Sequence, residues 1–202
     1  MARFAAITAL AFVLSRALGL VRDVVIAQRF GTRSELDAYT LAFTVPDQLF
    51  ILISGGALSA AFIPVFTQLL DSGDEERAQR MAAGVFGMVA VVVTLLVAIS
   101  WVFAPEIVNR GVASQSSNPE TRRLAVNLMR ILLLSPLMLS LASVATALLQ
   151  SYDEFTIPAL APIAYNTCII LGALLLAPVI GIQGVAIGVV IGSFFFLSLI
   201  HI

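Results

Sequence analysis

Three charged residues stand in an otherwise apolar stretch near the start of the chain, Ser15-Arg16-Ala17-Leu18-Gly19-Leu20-Val21-Arg22-Asp23-Val24-Val25. If that stretch lies in lipid, each charge costs roughly 2.5–3.5 kcal/mol on insertion scales, so such residues face a bundle interior or a wet cavity and mark a path for something polar. On a helix of about 100° per residue with Arg16 at 0°, Asp23 falls at about 340°, Arg22 at about 240° and Arg29 at about 220°. The four charges share one arc, and Leu14, Ala17, Leu18, Leu20, Val21, Val24 and Val25 occupy the other face. Three positive charges against one negative leave a cationic excess. The planar fork of Arg binds phosphate or pyrophosphate oxygens in pairs, which makes that anion the chemistry to expect at Arg16, Arg22 and Asp23. The competing arrangement pairs Arg16 with Asp23 and lets Arg22 and Arg29 reach a headgroup region.

Other ionisable residues are candidates for gating or coupling. Asp47 follows Pro46 in an apolar segment and fits a partner for an Arg, an ion-coupling carboxylate or a kink near the interface. Asp37 closes Ser34-Glu35-Leu36-Asp37, an S-x-x-[DE] capping box that would start a helix. Arg130, shortly before Ser135-Pro136, suits interior pairing and substrate contact equally. Enzymatic chemistry lacks raw material. The one His is His201, the one Cys is Cys168, and no glycine-rich phosphate loop is present, so nucleophile triads, metal clusters and P-loop hydrolysis are not expected. Neither a cofactor nor a metal is expected, and the identity of any coupling ion stays open.

A membrane setting follows from composition. With 60% hydrophobic and 11% charged residues and a mean hydropathy of +1.03, the chain lies outside the range of soluble domains. A span needs about 20 apolar residues. Six segments qualify as helical spans, near residues 3–28, 37–70, 81–104, 122–150, 156–177 and 181–202, and nothing shows the alternation of a barrel. A signal peptide after Arg3 is disfavoured because the apolar pattern continues past any cleavage site. The second segment is too long for one straight crossing, so it must bend, tilt or protrude, with Pro46, Gly55-Gly56 and Pro64 as the places to do so. Gly31 should cap the first helix, Pro105 should close the third beside an interfacial Trp101, and Ser151-Tyr152-Asp153-Glu154 should be a tight turn. Small-xxx-small spacings among Gly56, Ala57, Ala60 and Ala61 fit close helix packing. The formal net charge of −1 argues against nucleic acid as a partner.

The residues Ser15-Arg16-x-Leu18-Gly19-x-x-Arg22-Asp23, followed by Ala27, Phe30-Gly31, Asp37-Ala38, Ala42-Phe43, Pro46, and Gly56-Ala57 through Ala61-Phe62-x-Pro64, resemble the N-terminal signature of the MurJ/MviN lipid II flippases. These belong to the multidrug/oligosaccharidyl-lipid/polysaccharide exporter superfamily. The resemblance implies an all-α integral membrane protein of the bacterial inner membrane, with these residues forming a single domain of about six spans, one lobe of a two-lobed exporter. It further implies an undecaprenyl-pyrophosphate-linked peptidoglycan precursor as substrate, a C-terminal lobe of the same protein as partner, and a cationic cavity at Arg16, Arg22 and Asp23 with Asp37 as a matching acid. The N-terminus would be cytoplasmic, whereas the Arg count over the loops, taken alone, puts it outside. Many members carry Asn after the proline, then Arg-Arg and Glu-Gly. Here those places read Asp47, Phe50-Ile51 and Gly55-Gly56, so that gate chemistry does not carry over. The apolar run that ends at Ile202 is expected to mark a fragment. A cation-coupled exporter of drugs or polysaccharides, with Asp47 and Asp23 on the ion, and a non-transporting scaffold that docks a partner helix on the Arg stripe are the alternatives.

Overall fold

The computed structural model describes residues 2–31, 33–54, 57–112 and 118–201. It is all-helical over these residues. Helix α1 (Ala2–Phe30) is followed by α2 (Ser34–Ser54), α3 (Ala57–Asp71) and α4 (Glu75–Val102). A short turn, α5 (Ala104–Glu106), and a π-helical turn (Ile107–Val112) lead to α6 (Pro119–Leu132) and α7 (Leu134–Ser151). Next come α8 (Thr156–Leu171), a second π-helical turn (Gly172–Leu176), α9 (Ala177–Ile180) and α10 (Gln183–His201).

Five stretches are long and apolar enough to cross a membrane: 34–53, 75–102, 119–151, 156–180 and 183–200. The first expected span is present as the 29-residue α1, but Arg16, Arg22, Asp23 and Arg29 make it the charged member of the set. The second expected span is two helices, with Pro46 inside α2 and Pro64 inside α3. Gly55-Gly56 lies outside the described residues, as does the Gly56 member of the small-residue pattern, and Ala60 and Ala61 are exposed. The third begins earlier than its apolar run. Asp74 accepts the Arg77 N–H at 3.2 Å and starts a helix that runs unbroken from Glu75 into the membrane segment. That helix ends at Val102, and Pro105 opens the next turn.

The fourth expected span breaks at Leu133, and the reason is local. An α-helix would have the residue 136 N–H donate to the Leu132 carbonyl, but Pro136 has no N–H. The Ser135 hydroxyl donates to that carbonyl instead, at 2.8 Å, in a buried position where no water could replace it. In the fifth span Pro178 likewise cannot continue the regular ladder, and the Ala177 N–H reaches back to the Gly172 carbonyl in a π-type bond. Gly31 caps α1 as expected: its φ is +56° and its N–H donates to the Ala27 carbonyl at 2.7 Å. Helix α2 starts at Ser34, one residue before the position that a Ser34 cap would require. In the exposed turn before α8, Thr156 N–H donates to Glu154 Oε1 at 2.8 Å, which holds that carboxyl below its ordinary value.

Helix packing follows from side-chain size. Lipid gives helices no hydrophobic reason to associate, so small residues that admit close approach set the interfaces. Ala38 and Ala42 of α2, Ala125 of α6 and Ala186 of α10 are fully buried in the main cluster. α7 packs against α2, α3, α4 and α10, and α8 lies between α1 and α10. Gly184, Gly188 and Gly192 recur every fourth residue on α10. A methyl group added at Gly188 would sit 2.9 Å from the Cys168 carbonyl oxygen, and one at Gly192 2.9 Å from that of Tyr165. Large apolar residues such as Leu20, Leu52, Val91, Leu95 and Val179 point outward, as a lipid-facing surface requires.

The ends of the bundle sort consistently. Phe66 of α3 meets Tyr152 edge-on at 5.9 Å between ring centroids, so the 71–75 and 152–155 turns share one end. Glu35 lies beside Gly181, and Val108, Phe30 and Ile182 join one cluster, so the end of α1, the start of α2, the 103–112 segment and the 181–182 turn share the other.

Candidate functional site

A cavity of about 1060 Å³ opens between α1, α2, α7 and α8. α1 contributes Arg22, Asp23 and Ile26. α2 contributes a run from Tyr39 to Ile51 that includes Thr40, Thr44, Asp47 and Gln48. α7 adds Ser135, Ser143, Thr146 and Gln150, and α8 adds Tyr165 and Ile169. The hydroxyl-bearing Ser135, Ser143 and Thr146 of α7 face this space, and Pro46 and Pro136 are themselves part of the wall.

Arg22 is the centre of the site. Its Nε and Nη2 both donate to Asp23 Oδ1, at 2.9 and 2.8 Å, and its Nη1 donates to Asn166 Oδ1 at 3.0 Å. Asn166 is buried in α8, and its Nδ2 donates to the Pro162 carbonyl at 3.0 Å and the Ser15 carbonyl at 3.5 Å. The amide therefore ties α8 to α1 twice, once through the guanidinium and once through the backbone. Three of the five N–H donors of Arg22 are committed in these bonds, and two remain for an incoming acceptor.

The structure separates the residues that the sequence grouped. Arg22 and Asp23 line the cavity, and Asp47 joins them from α2, forming no ion pair among the described residues. Arg16 is exposed and outside this wall. Asp23 pairs with Arg22 and not with Arg16, which lies seven residues, or about 10 Å of helix axis, away. The Arg16–Asp23 arrangement is thereby corrected. Asp37 is exposed in the first turn of α2, outside the wall, and Arg29 is half-buried near the end of α1. Arg130 neither lines the cavity nor meets a carboxylate among the described residues. Its guanidinium lies over the Trp101 ring, 4.8 Å from the centroid, joining the ends of α6 and α4.

A further correction concerns charge. The expected excess of three positive to one negative is not what this wall carries, since its ionisable lining is Arg22 against Asp23 and Asp47. These residues present an oriented Arg in a wall of net −1.

Asn166 was not singled out by the sequence, although the signal was there: it is the one carboxamide in the apolar span Thr156–Ile180. A carboxamide in lipid needs partners as a charge does, and restricting attention to ionisable residues passed over it.

The family model described as Lipid II flippase MurJ matches residues 26–201. The chain belongs to the MurJ family. A lipid II flippase MurJ from Thermosipho africanus is 35% identical over 179 residues, 89% of this chain and 36% of that protein. A probable lipid II flippase MurJ from Buchnera aphidicola subsp. Acyrthosiphon pisum is 33% identical over 157 residues, 78% of this chain and 31% of the relative. The solved structure of a lipid II flippase MurJ in an inward closed conformation superposes with a TM-score of 0.80 at 33% identity, covering 96% of this chain and 41% of that one. The chain thus spans about a third of the length of the curated relatives that it matches. As a MurJ-family chain it is a multi-pass membrane protein of a transporter family, and its helices reproduce a portion of the MurJ fold.

Proposed function

We propose that these residues form the N-terminal lobe of a flippase that carries an undecaprenyl-pyrophosphate-linked peptidoglycan precursor across the bacterial inner membrane by alternating access. The observation that carries this reading is the Arg22 fork, held at the cavity wall by Asp23 and Asn166 with two donors left over. A pre-oriented guanidinium loses little freedom when it takes a pyrophosphate oxygen pair. Asp23 acts by holding Arg22, and Arg16 serves as a second cationic contact on the same helix. Thr40, Thr44, Gln48, Ser143, Thr146 and Gln150 supply hydrogen-bonding partners for a polar headgroup. Because this wall is net negative, the charge of a pyrophosphate is met by cations of a second lobe, which also closes the cavity. Asp37 and Asp47 are gate or coupling groups in this scheme, and Arg130 steadies the α4–α6 contact on which the gate moves.

The test is growth of a bacterial strain depleted of its own flippase and supplied with the intact protein. Arg22→Ala and Arg22→Lys should both fail to support growth at normal membrane levels, since Lys keeps the charge but not the fork. Full growth with Arg22→Ala would remove the assignment.

A further inference from the structure

We propose a second anion site, separate from the main cavity, between the 103–112 segment and the start of α6. A pocket of about 480 Å³ is lined there by Pro105, Asn109, Arg122, Arg123, Val126 and Asn127, none of which lines the main cavity. Two adjacent guanidiniums share this small space. No carboxylate lies within ion-pair distance of either among the described residues, and residues 113–117, Ala-Ser-Gln-Ser-Ser, contain none. The Arg122 Nε is buried and has no hydrogen-bond partner among the described residues. Leaving a charged donor in that state costs about 1–3 kcal/mol or more, so the atom calls for an acceptor.

Electrostatics at this position point the same way. Arg122 and Arg123 follow the first turn of α6, where the helix dipole concentrates positive charge and they repel one another; Glu120 in that turn offsets part of this charge but forms no ion pair with either among the described residues. An anion relieves both penalties. Asn109 and Asn127 bring two carboxamides to the same pocket, each with N–H donors for oxygens that the guanidiniums leave uncovered. The chemistry selected is a tetrahedral phosphate group, for which paired Arg donors have the right spacing.

Depth is inferred from Trp101 and Arg130, since an aromatic ring paired with a cation is the side-chain chemistry that a membrane interface favours. Arg122 and Arg123 lie eight and seven residues nearer the start of α6 than Arg130, about 12 and about 10 Å along the axis on the water side. A lipid phosphate headgroup and a free phosphate can both reach that level. The proposal does not depend on what the main cavity carries.

The experiment uses the intact protein and two probes. In detergent at constant ionic strength, inorganic phosphate is titrated and the thermal unfolding shift followed. In nanodiscs of phosphatidylcholine with or without phosphatidylglycerol, retained lipid is read by native mass spectrometry. Saturable phosphate binding supports a free anion, and retention of phosphatidylglycerol alone supports a headgroup. In either case Arg122→Ala/Arg123→Ala should weaken binding at least tenfold, whereas Arg110→Gln, an exposed Arg outside the pocket, should leave it unchanged. If the double variant does not fold, Arg123→Gln at the exposed position takes its place. Absence of binding to both probes, undiminished binding by the variant, or an equal loss with Arg110→Gln would overturn the site.

Discussion

Arg22 of α1 and Asn166 of α8 meet at 3.0 Å across the interface of two membrane helices that are 144 residues apart in sequence. The bond places the guanidinium by means of a buried amide that has no net charge of its own. Replacing Asn166 by Ala removes the acceptor of Arg22 and the donor to two backbone carbonyls, which should cost about 1.5–3 kcal/mol in stability. Replacing it by Asp keeps an acceptor but neutralises the fork a second time. We expect Asn166→Asp to fold to normal levels and fail in growth complementation, and Asn166→Ala to show both a lower unfolding midpoint and loss of growth. Normal growth with Asn166→Asp would show that the uncancelled charge of the Arg22 fork does not matter, and normal growth with Asn166→Ala that its orientation does not.

Two glycines make a matched pair for testing the α8–α10 contact. A Cβ at Gly188 would press on the backbone of Cys168 and Ile169, whereas one at the exposed Gly87 would meet nothing within 4 Å. Gly188→Ala should therefore destabilise by about 1–3 kcal/mol through overpacking. Gly87→Ala should be neutral or stabilising by up to about 1 kcal/mol from helix propensity. Thermal unfolding in detergent compares the two, and equal effects would mean that the helices can separate without loss.

The Ser135 hydroxyl stands in for the N–H that Pro136 lacks. Ser135→Ala should leave the buried Leu132 carbonyl without a partner, at a cost of about 1–3 kcal/mol. The double variant Ser135→Ala/Pro136→Ala restores an N–H at residue 136 and should recover most of that loss. A double variant no better than the single would show that the hydroxyl is not compensating for the proline.

Trp101 and Arg130 form a cation–π contact between α4 and α6. Trp101→Leu should cost about 0.5–2 kcal/mol, with Trp101→Phe intermediate. The penalty should vanish in an Arg130→Gln background, as chemical denaturation of the four variants would show. A penalty of equal size in both backgrounds would assign it to lost packing alone.

The helical class and the six segments were legible because lipid leaves the backbone no solvent, so run length alone selects helices. Gly31, Pro105 and the Asp153 turn were legible from local backbone chemistry, whereas Pro46 lies inside the continuous helix α2 and marks no break. Asp153 takes φ +60° in the turn that its acidic neighbours announced. The break at Leu133 and the π-helical turn before Pro178 were less so, because a proline near a helix junction permits a kink, a bulge or a clean stop, and neighbouring helices select among them. The four-residue spacing of Gly184, Gly188 and Gly192 is legible in the sequence, but only packing shows that it, and not Ala60 and Ala61, admits a neighbouring backbone.

At the candidate site, the sequence by itself determined which residues are too expensive to be idle in lipid, among them Arg16, Arg22, Asp23, Asp47 and Arg130, and its helical period placed four charges of α1 on one face. Such costs depend on residue type and depth, which a single segment already contains. Tertiary structure alone decided that Arg22 and not Arg16 reaches the cavity, that Asp23 pairs with its neighbour, and that Arg130 turns to Trp101. It also supplied Asn166 as the third point of the Arg22 cradle. Which partner a charge finds depends on what the facing helix brings within about 3 Å of it, and hydrogen bonds of that range are set by packing across the bundle, which no periodicity along one helix contains.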